Sequence, residues 1–122
     1  MAYRDISVWL EDILISIERI KKHIEGIASY TEFKKNQLVI DATERNLEII
    51  AEALKKAVRL EPELPISQIK KNIGLRNIIN HVYYEIQYDK IWVILTKDLL
   101  VLESEIKKIL EDYERRLQLK EL

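Results

Sequence analysis

The chain has 122 residues, of which 34% are charged, with a formal net charge of −1, two glycines, two prolines and no cysteine. That length holds one domain around one sizeable core, and so few Gly and Pro leave little punctuation for a multi-stranded sheet, so a single all-α domain over 1–122 is expected. The near-neutral balance supplies no global field to attract nucleic acid, so any RNA would bind at a local patch. The lack of Cys excludes disulfides, thiolate zinc sites and a Cys nucleophile, and fits a reducing cytosol.

From Asp5 to about Ser29, apolar residues fall at Ile6, Trp9/Leu10, Ile13, Ile17, Ile20, Ile24 and Ile27, in steps of three or four. This predicts a long amphipathic helix with Asp5 as N-cap and Gly26 and Ser29 at its fraying end. Arg4, Asp5, Glu11 and Asp12 interrupt its apolar positions, so the stretch reads as neither a signal peptide nor a membrane span. His23 sits among Lys21, Lys22 and Glu25 and is expected to be an ordinary surface histidine.

A second helix is predicted from about Thr31 to Leu60, with Phe33, Ile40, Leu47 and Leu54 repeating every seven residues. Asn36, Gln37 and Thr43 weaken its first half; a near-surface position is preferred for them over a polar groove. Glu61-Pro62-Glu63-Leu64-Pro65 ends the helix, because each proline holds its predecessor extended and lacks a backbone donor. Ser67 is expected to cap a third helix. After a short connection over Glu85-Ile86-Gln87-Tyr88, Asp89 is expected to cap a last helix from Lys90 to about Gln118. Its apolar positions are Ile91, Ile94/Leu95, Leu99, Leu102, Ile106, Ile109, Tyr113 and Leu117. Four helices with short loops imply an antiparallel bundle.

The third helix carries the unusual stretch. At 100° per residue, Leu75, Ile78, Ile79 and Val82 share one arc, which is a core face. The opposite arc holds Arg76, Asn77, Asn80, His81, Tyr83 and Tyr84, without a Lys, Glu or Asp. Groups that bond hydrogen and move protons have replaced solubilising ones. Arg76, Asn80 and Tyr83 form one strip and Asn77, His81 and Tyr84 its neighbour. Arg76 and His81 are five residues apart, roughly 140° around the helix, so a site using both gains from two copies of this helix meeting across a two-fold axis.

Those residue types suit cleavage of a phosphodiester. A neutral His takes a proton from a ribose 2′-hydroxyl or delivers one to the leaving oxygen, and an Arg fork holds the phosphate and its growing charge. The 2′-hydroxyl is the internal nucleophile, so no metal or cofactor is called for, and Asn77 is placed to orient His81 or the phosphate. Arg, Asn and Tyr also suit a plain dimer interface, and the residues alone leave both readings open. There is no Gly-rich phosphate loop, HExxH or GxSxG, and Glu18 and Glu25 do not form a Glu-x-x-His pair with His23.

The segment Arg76-Asn77-x-x-x-His81-x-Tyr83 resembles the R-x4-H-x-Y signature of HEPN-domain proteins, specifically the HepT toxin branch. Glu44-Arg45-Asn46-Leu47-Glu48-Ile49-Ile50 resembles the family's second-helix block, Ile69 to Tyr84 its third, and Ile91-Trp92 with Lys97-Asp98-Leu99 the opening of its last helix. The resemblance implies a homodimeric HEPN-like antiparallel four-helix bundle with the third helix near the two-fold axis. It further implies a cytoplasmic, metal-independent ribonuclease toxin of a type VII-like toxin–antitoxin pair. Arg76 and His81 would be catalytic, with Asn77 matching the polar residue that usually follows the motif arginine; Asn80, on the Arg76 strip, is a supporting candidate that the family does not require. Its partners would be RNA and an MntA-type nucleotidyltransferase antitoxin that transfers AMP from ATP onto the motif tyrosine, Tyr83, with Tyr84 a rival acceptor. The alternative is a non-catalytic helical module that dimerises and docks such a nucleotidyltransferase.

Overall fold

The computed structural model describes residues 3–67 and 88–121. Among them every regular element is helical: α1 (Tyr3–Ile24), α2 (Tyr30–Lys34), α3 (Gln37–Leu60), α4 (Tyr88–Val93), a π-helical turn (Ile94–Asp98) and α5 (Leu99–Glu121). The expected third helix, with its core face, lies outside the described residues; Ser67, expected to cap it, is a turn residue whose hydroxyl donates to Glu105 on α5 instead.

The apolar stripe of α1 forms as its spacing predicts, with Ile6, Leu10, Ile13, Ile17 and Ile20 all buried. Each such side chain removed from water contributes about 1.5–3 kcal/mol. Asp5 does not cap this helix; α1 is already formed at Tyr3, two residues earlier. Its far end is sharper than the predicted fraying. Gly26 adopts φ +85°, the left-handed conformation that terminates helices, and the Ile27 N–H then donates to the Ile24 carbonyl at 3.0 Å.

Ser29 starts a new element. Its Oγ accepts from the Glu32 N–H while Glu32 Oε2 accepts from the Ala28 N–H at 2.9 Å, a reciprocal cap that sets off α2. The single helix expected from Thr31 to Leu60 is therefore two. Asn36 stops the first and caps the second, its Oδ1 accepting from the Val39 N–H at 3.1 Å. The seven-residue seam survives this break, since Phe33, Ile40, Leu47 and Leu54 are all no more than 1% exposed. Asn36 and Gln37 are exposed as expected. Thr43 is not, and its hydroxyl is satisfied within the helix by donating to the Ile40 carbonyl at 3.0 Å.

α1 and α3 form the main interface and run antiparallel. Trp9, near the start of α1, has Lys56 Nζ from near the end of α3 over its ring, 4.4 Å from the centroid. α2 wedges Phe33 against Trp92 of α4, with ring centroids 5.1 Å apart. After α3, Leu64 and Ile66 turn into the core while Pro62, Glu63 and Pro65 stay exposed, which ties the connection down at two points.

The C-terminal helix departs from expectation at its start and in its middle. Tyr88 is already helical and Asp89 lies inside the first turn, so Asp89 is not the N-cap. Between Ile94 and Asp98 the chain takes a wider turn, and the Leu99 N–H donates to the Ile94 carbonyl five residues back. Ile91, Ile94 and Leu95 are buried before and within that turn, and Leu99, Leu102, Ile106 and Ile109 beyond it. The last turns run past the core: Leu117, placed in the apolar stripe by its spacing, is 39% exposed.

Candidate functional site

The residues singled out by the sequence, Arg76, Asn77, Asn80, His81, Tyr83 and Tyr84, all lie outside the described residues. The structure does show what holds the chain where it enters and leaves the 68–87 interval.

On the entry side, Ile66 is buried and Ser67 is exposed. Ser67 N–H donates to Glu105 Oε2 at 2.8 Å and Ser67 Oγ donates to Glu105 Oε1 at 3.0 Å. One carboxylate on α5 thus holds both donors of one loop residue, a charge-assisted pair that fixes direction as well as position. On the exit side, Tyr88 packs against the core and Ile91 is fully buried within it. The π turn follows at once, and within it the Thr96 hydroxyl donates to the Trp92 carbonyl at 2.8 Å. A π turn inside an α-helix recurs at functional sites because it displaces side chains from their regular register.

Three polar features in the described residues have no counterpart in the sequence reading. Lys21 Nζ donates to both oxygens of Glu103, at 2.7 and 2.8 Å, joining α1 to α5. That hydrogen bond, reinforced by the carboxylate charge, raises the Lys21 pKa above its ordinary value. Glu44, on α3, is pushed up to about 7, first by desolvation and then by the charges of Asp41 and Glu48. Asn46 is buried; its Nδ2 donates to the Ala42 carbonyl at 3.0 Å, and its Oδ1 has no partner among the described residues. Ser67–Glu105 and Lys21–Glu103 join positions 38 and 82 residues apart, so no local pattern could have signalled them. Glu44 had a signal, since Asp41 and Glu48 lie one helical turn to either side of it.

His23 is exposed near the end of α1, as expected. Among the described residues, no group of three or more His, Cys, Asp or Glu could hold a metal ion. No described helix is long and apolar enough to cross a membrane. A cleft of about 390 Å³ opens between α1 and α3, lined by Trp9, Asp12, Arg45, Glu48 and Glu52 among others. Its opposed charges include an Arg45–Glu48 pair at 3.7 Å, and its lining has no histidine for proton transfer.

Comparison with known proteins gives this helical architecture its place. The chain is 33% identical over 108 residues to a candidate RNase of Methanocaldococcus jannaschii, covering 88% of this chain and 98% of that one. It is 34% identical over 104 residues to a candidate RNase of Caldanaerobacter subterraneus subsp. tengcongensis, covering 84% and 92%. A second candidate RNase of M. jannaschii is 30% identical over 117 residues, 95% of this chain and the whole of that one. No solved structure matches. The family described as Ribonuclease HepT-like matches residues 13–109, which span α1 to α5 and include the whole Arg76–Tyr84 stretch. The chain belongs to the HepT-like ribonuclease family, as its motif and helical fold imply.

Proposed function

We propose that this protein is a metal-independent ribonuclease toxin that cleaves RNA at a cleft between two copies of the chain, with Arg76 and His81 as the catalytic residues. The observation that carries the reading is the HepT-like match across 13–109, within which the sequence holds Arg76-Asn77-x-x-x-His81-x-Tyr83. One His81 accepts the proton of a ribose 2′-hydroxyl as that oxygen attacks the adjacent phosphorus. Arg76 binds the non-bridging phosphate oxygens while negative charge builds on them. The bond from phosphorus to the 5′-oxygen breaks, and that oxygen takes a proton from the second His81. The products are a 2′,3′-cyclic phosphate and a 5′-hydroxyl. Asn77 and Asn80 orient the histidine and the phosphate.

A nucleotidyltransferase antitoxin of the MntA type silences the toxin by transferring AMP from ATP to Tyr83, with release of pyrophosphate. Tyr83 shares a strip with Arg76, so the added phosphate occupies the arginine that substrate needs. Tyr84 is the competing acceptor.

The test is degradation of total cellular RNA by purified protein against Arg76→Ala and His81→Ala. Each substitution should reduce cleavage by on the order of 10²-fold or more. Wild-type-like cleavage by both variants would overturn the assignment, and tight binding of a nucleotidyltransferase without any cleavage would point to a docking module. For the modification, intact mass after incubation with that partner and ATP should rise in AMP-sized steps in wild type and in Tyr84→Phe, and stay constant in Tyr83→Phe.

A further inference from the structure

We infer that a second copy of this chain docks through its α1 on the outer face that runs from α4 through the π turn into α5. The strip Lys90, Val93, Lys97 and Val101 of one copy receives the strip Val8, Glu11, Ile15 and Glu18 of the other. This contact uses none of the residues from Arg76 to Tyr84, and it does not depend on the ribonuclease reading.

Between Ile6 and Glu18 of α1 the exposed residues are Val8, Glu11, Ile15 and Glu18 and no others. Steps of three, four and three place them on one strip, where aliphatic side chains alternate with carboxylates. Beyond Glu18 the sign changes, at Arg19 and Lys22. From Lys90 to Val101 the exposed residues are Lys90, Val93, Lys97, Leu100 and Val101, so here aliphatics alternate with ammonium groups. The last step of this strip, from Lys97 to Val101, takes up the additional residue of the π turn, and Leu100 flanks its end. Val8, Ile15, Val93 and Val101 are four of the eight large hydrophobic side chains left exposed among the described residues.

Laid antiparallel, the strips pair Glu18 with Lys90, Ile15 with Val93, Glu11 with Lys97 and Val8 with Val101. Each charge meets its opposite and each aliphatic meets an aliphatic. Both strips run for about 15 Å at about 1.5 Å per residue, so the pairs keep register along the whole length. Parallel pairing sets every charge against an aliphatic. Either strip against its own copy does the same when antiparallel, and opposes like charges when parallel. An RNA strand would engage the lysines and leave Val93 and Val101 uncovered. The arrangement of charge and apolar surface therefore selects one partner strip in one direction.

The experiment is sedimentation equilibrium of the full chain at ~0.01 M ionic strength, where screening sets in only beyond roughly 30 Å. It compares wild type, the Lys90→Glu and Lys97→Glu double variant, the Glu11→Lys and Glu18→Lys double variant, and an equal mixture of the two variants. Wild type should have about twice the mass of either variant, or more, and should fall to the variants' mass in ~1 M salt. Each variant carries two strips of one sign and should lose the contact. The mixture presents opposite strips again and should regain the wild-type mass. Val93→Ser with Val101→Ser should also lower the mass while leaving the charges in place. All the altered residues are exposed, so thermal midpoints should stay close to wild type. Equal masses for wild type and both charge variants overturn the inference, and so does a mixture that remains at the variants' mass. Equal masses with RNA binding weakened only in the lysine variant overturn it too, and assign that strip to phosphate. Any mass above one chain that the variants retain reports contacts made elsewhere, including the one proposed around Arg76 and His81.

Discussion

Lys21 on α1 and Glu103 on α5 form a two-pronged ion pair, with the ammonium nitrogen 2.7 and 2.8 Å from the carboxylate oxygens and Glu103 only 8% exposed. A carboxylate so far from water depends on its partner. Lys21→Met should destabilise the fold by about 2 kcal/mol in urea unfolding, because among the described residues Glu103 would then keep only Lys107, at 3.8 Å. Adding Glu103→Leu to that variant should recover most of the loss. The raised Lys21 pKa gives the pH sense: the pair's contribution is complete below the ordinary lysine value of 10.5 and disappears as pH rises through the higher folded value. Wild type and Lys21→Met should therefore converge in stability under strongly alkaline conditions.

Glu44 behaves in the opposite way. Its folded pKa of about 7 exceeds the ordinary 4.5, so the folded state holds a proton that the unfolded state has lost between those values. Stability should fall as pH rises from 4.5 to 7. Glu44→Gln should be more stable than wild type at pH 8, by roughly 1 kcal/mol once solvent screening of this half-exposed group is allowed for, and equal to it below pH 4.5. Thermal midpoints of the two proteins across that range check the sign.

Gly26 terminates α1 at φ +85°, and a Cβ added there would meet nothing within 4 Å. Space is therefore not the constraint; backbone conformation is. Gly26→Ala should lose about 1 kcal/mol through that strain, and Gly26→Asn less, because Asn tolerates the left-handed region better. Chemical denaturation of the three proteins provides the comparison.

The π turn over Ile94–Asp98 contains one residue more than an α-helical turn. Deleting Thr96 should close it to a regular turn while leaving Leu99, Leu102 and Ile106 facing the core. Deleting Ser104, in the regular part of α5, should rotate everything beyond it by about 100°. The first deletion should fold with a reduced thermal midpoint and the second should lose cooperative unfolding, as followed by circular dichroism.

The heptad seam and the α1 stripe were legible because burial on one helix face imposes a period that local sequence displays. Breaks in the helices were less so. Asn36 interrupts a seam whose apolar spacing continues across it, and only its side-chain capping bond marks the stop. Asp5 and Asp89 illustrate the reverse: each is a good capping residue, yet the helix is already formed at Tyr3 and at Tyr88. The π turn was hidden because it leaves the stripe looking continuous. For the site, the motif from Arg76 to Tyr83 remains an expectation that rests on residue types and on the family match that covers it, since its residues lie outside the described structure. The Glu105 tie to Ser67 was not legible, since it depends on how a loop and a distant helix meet.

The stacking of Phe33 on Trp92 has a practical consequence. The only other tryptophan, Trp9, lies at the far end of α3 beneath Lys56, so the chain's two indoles report on separate places. Emission from a Trp9→Phe protein follows the junction of α2 with α4, immediately after the candidate catalytic stretch. Emission from Trp92→Phe follows the α1–α3 seam. A response of the α2–α4 junction to added RNA can then be read from one native fluorophore while the other serves as an internal control.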